Sequence, residues 1–341
     1  MQPKYVELAH GAGGTKMDEL LSLIMKDIVK RKIGNGIGLD EKDDGATVQI
    51  DNTKIVLTTD GHTIHPLFFP GGDLGKLAIT GTVNDVCVMG AKPIGILSSI
   101  IVEEGYPIKN LQQITQSMAK TAEECKVAII GGDTKVMPKG TLDKMVIVTT
   151  GIGILNEKNE NIQDNKLQPG DKIIVSGTVG DHGIALMAGR EGINFETDLI
   201  SDVSSVQDLT YKALKVGGII AMKDPTRGGL AAALNEFAAK SKVSIWVDEE
   251  AIPISKAVVA ASEMLGLEPL NVACEGRVIF GVKKEKAEEV LKTLRKLKKG
   301  KNATIIGTVK KERPGMVITE TLIGGHRVLE KPIGEQIPRV C

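Results

Sequence analysis

In MDELLSLIMKDIVKRK (17–32) apolar residues recur three and four apart, so that Leu20, Leu21, Ile24, Met25 and Ile28 share one face. The spacing predicts a helix over 17–32. A second amphipathic helix is predicted around Leu111, Ile114, Met118, Ala122 and Cys125. Elsewhere the pattern shifts to short β-branched runs, KIVLTTD (54–60), VAIIGGD (127–133) and MVIVTTGIGI (145–154), which read as strands. The first half is therefore mixed α/β.

Residues 155–170 are polar and aperiodic and end in Pro169-Gly170, which marks a domain boundary. The second half restarts with a strand, DKIIVSGTVG (171–180). Helices follow around 206–222 and 229–240, with short strands at 243–248 and 277–282. A last helix, 287–299, turns Val290, Leu291, Leu294 and Leu297 one way. The final stretch, GGHRVLEKPIGEQIPRVC, has two prolines and no period, and reads as a mobile tail. Twelve extended residues at roughly 3.3 Å each would reach up to ~40 Å. The expected organisation is an α/β (α+β) chain with domains over 1–155 and 170–323 and a flexible tail over 324–341.

Charge and composition narrow the function. The 43 basic and 43 acidic side chains of the 341 residues cancel, so no nucleic acid or anionic membrane is attracted in general, and a phosphate ligand must be held locally. No apolar run reaches the ~20 residues of a membrane span. The start, MQPKYVELAHGAGG, lacks the apolar core of a signal peptide, so a cytoplasmic protein is expected. Cys87, Cys125, Cys274 and Cys341 form no CxxC pair or zinc spacing, which fits a reducing compartment. The first three read as small buried hydrophobes. Cys341, at the last position of the sequence, does not suit a core.

The usual phosphate motifs fail. GGDLGK (71–76) would need glycine where Pro70 stands to be a P-loop, and HGAGGT (10–15) lacks a preceding strand and a third glycine in register. Acidic residues beside glycine at strand ends stand out instead: Asp43-Asp44-Gly45, Asp60-Gly61, Asn84-Asp85 and Gly131-Gly132-Asp133-Thr134. Such carboxylates suit Mg²⁺ and a nucleotide triphosphate, and glycine lets backbone amides approach phosphate oxygens. Any one pair alone is more simply a turn. Four in one half-chain favour a site.

Lys135 follows Asp133-Thr134 and should sit near any metal–phosphate cluster, unless it is a plain surface lysine. Glu275 interrupts the apolar NVACEGRVIF (271–280). It could be solvated, paired with Arg277, or desolvated with a raised pKa and able to act as a base. DPTRGGL (224–230) should start a helix, with Asp224 and Arg227 either capping it or binding anions. His182, in GDHG (180–183), reads as a capping or surface residue.

LAHGAGG, HPLFFPGGDLGKLAITGTVNDVCVMGA (65–91), GGDTKV (131–136), SGTVGDHG (176–183), DPTRGG, NVACEG and the terminal PRVC together resemble the HypE family of hydrogenase maturation factors, over nearly the whole chain. That family lies within the superfamily of aminoimidazole ribonucleotide synthetase, selenophosphate synthetase and thiamine monophosphate kinase. The resemblance implies two α/β domains, a homodimer formed through the first, and Mg-ATP held between the sheets of dimer and domain. It implies metal carboxylates at Asp43, Asp60, Asp85 and Asp133, with Asp44, Gly61, Asn84, Gly132, Thr134, Asp224 and Arg227 also at the nucleotide. It further implies that the carbamoyltransferase HypF loads a carbamoyl group on Cys341, that ATP drives its dehydration to a thiocyanate with Lys135 and Glu275 as bases, and that the cyanide passes to iron on a HypC–HypD scaffold. A small-molecule kinase or synthetase of the same superfamily would share the ATP site but has no reason to end in PRVC. A non-enzymatic scaffold would leave the carboxylates unexplained.

Overall fold

The computed structural model describes residues 4–159, 162–191, 199–321, 324–334, 337 and 339–341. The first half runs α1 (Thr15–Ile24), β1 (Ala46–Ile50), β2 (Thr53–His62), the short pair β3 (Phe68–Phe69) and β4 (Gly72–Asp73), α2 (Leu74–Val88), β5 (Ala91–Glu103), α3 (Ile108–Cys125), β6 (Ala128–Met137) and β7 (Met145–Leu155). Its five-stranded sheet has the order β1-β2-β7-β5-β6. All neighbours are antiparallel except β5 and β6, which run parallel.

The second half runs β8 (Lys172–Val175), α4 (Asp181–Glu191), α5 (Gln207–Val216), β9 (Ile219–Lys223), α6 (Gly229–Ser241), β10 (Ser244–Asp248), α7 (Lys256–Leu265), β11 (Ile279–Val282), α8 (Ala287–Arg295), β12 (Thr304–Lys310), β13 (Val317–Glu320) and β14 (His326–Val328). The seven-stranded sheet has the order β14-β13-β10-β12-β8-β11-β9.

The two halves share a core. Leu77 and Ile147 of the first belong to the same buried cluster as Ile174 and Phe280 of the second. α2 lies at this junction and is buried on nearly every side, so its sequence shows no amphipathic stripe. The GGDLGK segment is its cap: the Asp73 carboxylate accepts from the Lys76 N–H at 2.9 Å.

Four sequence expectations change. The helix expected over 17–32 ends at Ile24, and α1 contributes no buried residue. The helix around 206–222 stops at Val216, because Gly217 and Gly218 take φ of 81° and 79° and the chain leaves as β9. The helix over 287–299 ends at Arg295. The tail read as patternless contains β14, paired antiparallel with β13. Beyond it Leu329, Ile337 and Val340 are buried, so this part of the chain is docked onto the body.

Candidate active site

A cleft of about 1190 Å³ opens between the two halves. Its acidic wall is assembled from four places. The loop before β1 brings Asp44, the end of β2 brings Asp60, α2 brings Asp85, and the approach to α6 brings Asp224. The Thr58 hydroxyl donates to Asp85 at 2.9 Å, and Thr82 reaches Asp60 at 3.5 Å. Burial pushes the Asp85 carboxyl well above the ordinary range, and the charges of Asp60, Asp224 and Asp44 add to the effect. Burial likewise raises Asp44, and it pushes Asp224 up to about 6. Asp44 Oδ2 and Asp224 Oδ2 are buried without a hydrogen-bond partner.

These orphaned carboxylate oxygens fit a hard divalent cation, whose charge would relieve their repulsion. Among the described residues no three such side chains form a ready-made cage. Mg²⁺ commonly takes one or two carboxylates together with substrate phosphate oxygens and water.

Glu275 sits deeper. It is 2% exposed, its Oε1 has no partner, and burial followed by the charges of Asp224 and Asp202 drives its carboxyl well above the ordinary range. Its backbone is fixed from two sides: Asp202 accepts its N–H at 3.0 Å, and Asn84 Nδ2 donates to its carbonyl at 3.2 Å. The rest of the Asn84 amide binds the Ser204 carbonyl and the Val206 N–H. Asn84 thus clasps α2 to the second half, while its neighbour Asp85 faces the cleft.

Arg227 joins the tail to these acids. Its charge is stabilised first by the negative charge at Cys341, against the cost of burial, and then by Asp60, Glu275 and Asp85. The guanidinium is open to water in the cleft yet surrounded by protein. The Gly13 loop packs so closely on the Arg227 backbone that a Cβ there would lie 2.5 Å from its carbonyl oxygen, and Gly13 takes φ of +73°.

A lysine–carboxylate network in the wall of the cleft has no signal in the sequence. Lys223 contacts Asp44 at 2.6 Å, Asp164 at 3.3 Å and Glu236 at 3.4 Å; Lys240 contacts Asp43 at 2.9 Å and Asp164 at 2.8 Å. Burial opposes the charge of Lys223, but Asp164, Asp44 and Glu236 outweigh it and raise its pKa well above the ordinary value. Asp43 is therefore held by a lysine at the edge of the cleft. Both lysines belong to the second half and pin a loop of the first.

Asp133, Thr134 and Lys135 lie elsewhere. They are exposed on β6, the outermost strand, where Lys135 pairs with Asp133 at 3.1 Å. Gly132 belongs to this strand, and a Cβ there would lie 1.7 Å from the Ser98 carbonyl of β5. Gly61 is exposed beside Asp60. Within one chain, then, Asp44, Asp60, Asp85, Asp224, Arg227 and Glu275 come together, and the β6 residues stay apart. His182, expected as a capping or surface residue, is instead fully buried against the tail.

The comparisons with known proteins identify the fold and the family. Residues 42–155 match the N-terminal domain of AIR synthase related proteins, and residues 168–319 match the C-terminal domain. The carbamoyl dehydratase HypE of Rhizobium leguminosarum bv. viciae is 41% identical over 98% of this chain and 95% of its own. A crystal structure of HypE in complex with ATP superposes with a TM-score of 0.82 at 40% identity, over 97% of this chain and 98% of that one. A HypE–HypF complex gives a TM-score of 0.86 at 39% identity, over 94% of this chain and 100% of that one. No described helix is long and apolar enough to cross a membrane. The chain belongs to the HypE family of carbamoyl dehydratases, within the AIR synthase related proteins.

Proposed function

We infer that this chain uses Mg-ATP in the acidic cleft to dehydrate a carbamoyl group carried on the sulfur of Cys341. The observation that supports the reading is the approach of the tail to the cleft: Val340, next to Cys341, lines one small cavity with Arg227, and Arg227 also lines the acidic cleft. The net change is S–C(=O)NH₂ plus ATP to S–C≡N plus ADP and phosphate. The carbamoyl oxygen leaves on the γ-phosphoryl group, and both nitrogen protons are removed. Asp60 and Asp85, with Asp44 and Asp224 beside them, would hold Mg²⁺, which would neutralise phosphate charge. Arg227 is a cation placed between the phosphoryl end of the cleft and the tail. Glu275 is the base, since burial raises its carboxyl well above the ordinary range and makes the ionised form a stronger proton acceptor.

Asp133, Thr134 and Lys135 join the site from a second copy. Ile129, Ile130 and Val136 are exposed beside them on the outer strand, a surface suited to pairing with its own kind. Lys135 then serves as the second proton acceptor. HypF supplies the carbamoyl group, the HypC–HypD scaffold receives the cyanide on its iron for nickel–iron hydrogenase, and the protein works in the cytoplasm. Intact-mass spectrometry tests the core of this reading. With HypF, carbamoyl phosphate and ATP, the chain gains a carbamoyl-sized mass that then becomes lighter by one water. A carbamoyl adduct that persists in the presence of Mg-ATP would refute it.

A further inference from the structure

The GDHG segment, which the nucleotide chemistry leaves unused, meets the tail. His182 lies at the start of α4 and is fully buried. Its Nε2 is 2.7 Å from the Val340 carbonyl oxygen, and its Nδ1 is 2.7 Å from Ser201 Oγ. A carbonyl only accepts, so Nε2 carries the proton and Nδ1 accepts from the Ser201 hydroxyl. The Ser201 oxygen also accepts the Val203 N–H at 3.0 Å, which helps direct its proton at the imidazole. The ring of Phe69 closes the site edge-on at 5.6 Å.

The neighbouring carbonyls are held as well. Arg190, also on α4, donates to the Arg339 carbonyl at 2.7 Å and to the His65 carbonyl at 2.6 Å. The Thr63 N–H and hydroxyl donate to the Cys341 main-chain oxygen at 2.9 and 3.2 Å. The main-chain oxygens of three consecutive residues therefore receive donors from the body of the protein. Every one of these holds is on backbone, so each works equally well whether the sulfur carries a proton, a carbamoyl group or a nitrile.

We propose that His182, oriented by Ser201, is a positioning residue for the dehydration: it sets the register of the tail, whose Val340 lines one small cavity with Arg227, and so sets where the Cys341 sulfur lies. The proposal rests on Cys341 being the carrier. A reacting group displaced by about 1 Å can lose on the order of a hundredfold in rate, so a buried hydrogen bond one residue from the sulfur has leverage.

The test is a single-turnover assay on carbamoylated full-length protein. His182→Ala should slow thiocyanate formation at least about tenfold while HypF loading and ATP affinity stay unchanged. His182→Gln, whose amide nitrogen can donate from nearly the same place as Nε2, should recover most of the rate, which simple packing would not predict. Ser201→Ala, a gentler change should His182→Ala fold poorly, should slow the reaction severalfold with normal melting. A glycine inserted between Val340 and Cys341 keeps the hold on Val340 but shifts the sulfur by roughly 3.3 Å, and should abolish dehydration without affecting loading. Parent-like rates in His182→Ala, or in Ser201→Ala where His182→Ala does not fold, overturn the proposal, as does a Gln variant as slow as Ala. If the parent itself makes no thiocyanate, it is the carrier reading that fails.

Discussion

The inner cleft and the outer strand β6 carry the same kinds of side chain in opposite environments. Glu275 is 2% exposed with an unpartnered oxygen, whereas the Lys135 side chain is 66% exposed and paired with a carboxylate. Burial drives Asp85 well above the ordinary carboxylate range, while the hydrogen bond from Lys135 holds Asp133 below it. The cleft is electrostatically strained within a single chain, and a bound cation would relieve it. The outer strand is relaxed and uncovered. If β6 belongs to the site as proposed, a buried half and an exposed half are what a catalyst completed at a symmetric interface would present.

The largest effect tests that split directly. Cys341→Ala should bind Mg-ATP normally but form no thiocyanate. Lys135→Ala should lose most activity. If Lys135 works across the interface, mixing the two inactive proteins rescues turnover, because a mixed pair holds one site with both residues intact. Random exchange makes half of the pairs mixed, so about a quarter of the full activity should return. No rescue after verified exchange would place Lys135 and Cys341 of one chain in the same site, or remove Lys135 from the reaction.

The next effect concerns the finished half. Glu275→Gln keeps the shape and removes the basicity, so dehydration should fall by ~100-fold or more with little change in ATP affinity. The carboxyl is raised well above its ordinary value, and a base works only when ionised. The parent rate should therefore fall as pH drops through that raised value, and Glu275→Gln should lose this acid limb. A variant with the parent's acid limb would show that another group titrates.

Part of the cleft was legible because acidic residues beside glycine or asparagine are local patterns, although Asp85 lies within α2 and not at a strand end. Asp44, Asp60 and Asp85 could be picked out one by one, and Asp224 as part of a helix start, although their meeting in one cleft is a matter of tertiary fold. The lysine network was not legible: Lys223 meets Asp44 across 179 positions and Lys240 meets Asp43 across 197. Nothing near either lysine in the sequence announces its partner. α2 shows no periodicity because it is buried nearly all round, and the tail strand shows none because three residues are too few for alternation. His182 was misread as a surface group because its partner, Val340, lies 158 positions away.

The smallest effect follows from the strain itself. Asp224 is 5% exposed with an unpartnered oxygen, and burial lifts its pKa from 3.8 to about 6. Between those values the folded protein holds a proton that the unfolded chain has lost. The stabilising contribution is thus complete below about 3.8 and is lost as pH rises through about 6. Each unit is worth roughly 1.4 kcal/mol, so the ionised, metal-free site costs the fold on the order of 3 kcal/mol at pH 7. Asp224→Asn should therefore melt a few degrees above the parent at pH 7 in the presence of a chelator, and close to it near pH 4. The gain should vanish or reverse when Mg-ATP is added, because the parent alone then recovers stability by binding. No such strain exists on β6, so Asp133→Asn should leave metal-free melting nearly unchanged at every pH. Melting offsets for Asp224→Asn that stay constant from pH 4 to 7 would mean that its carboxyl does not carry the burden of the cleft, and that the contrast between the two regions lies in geometry alone.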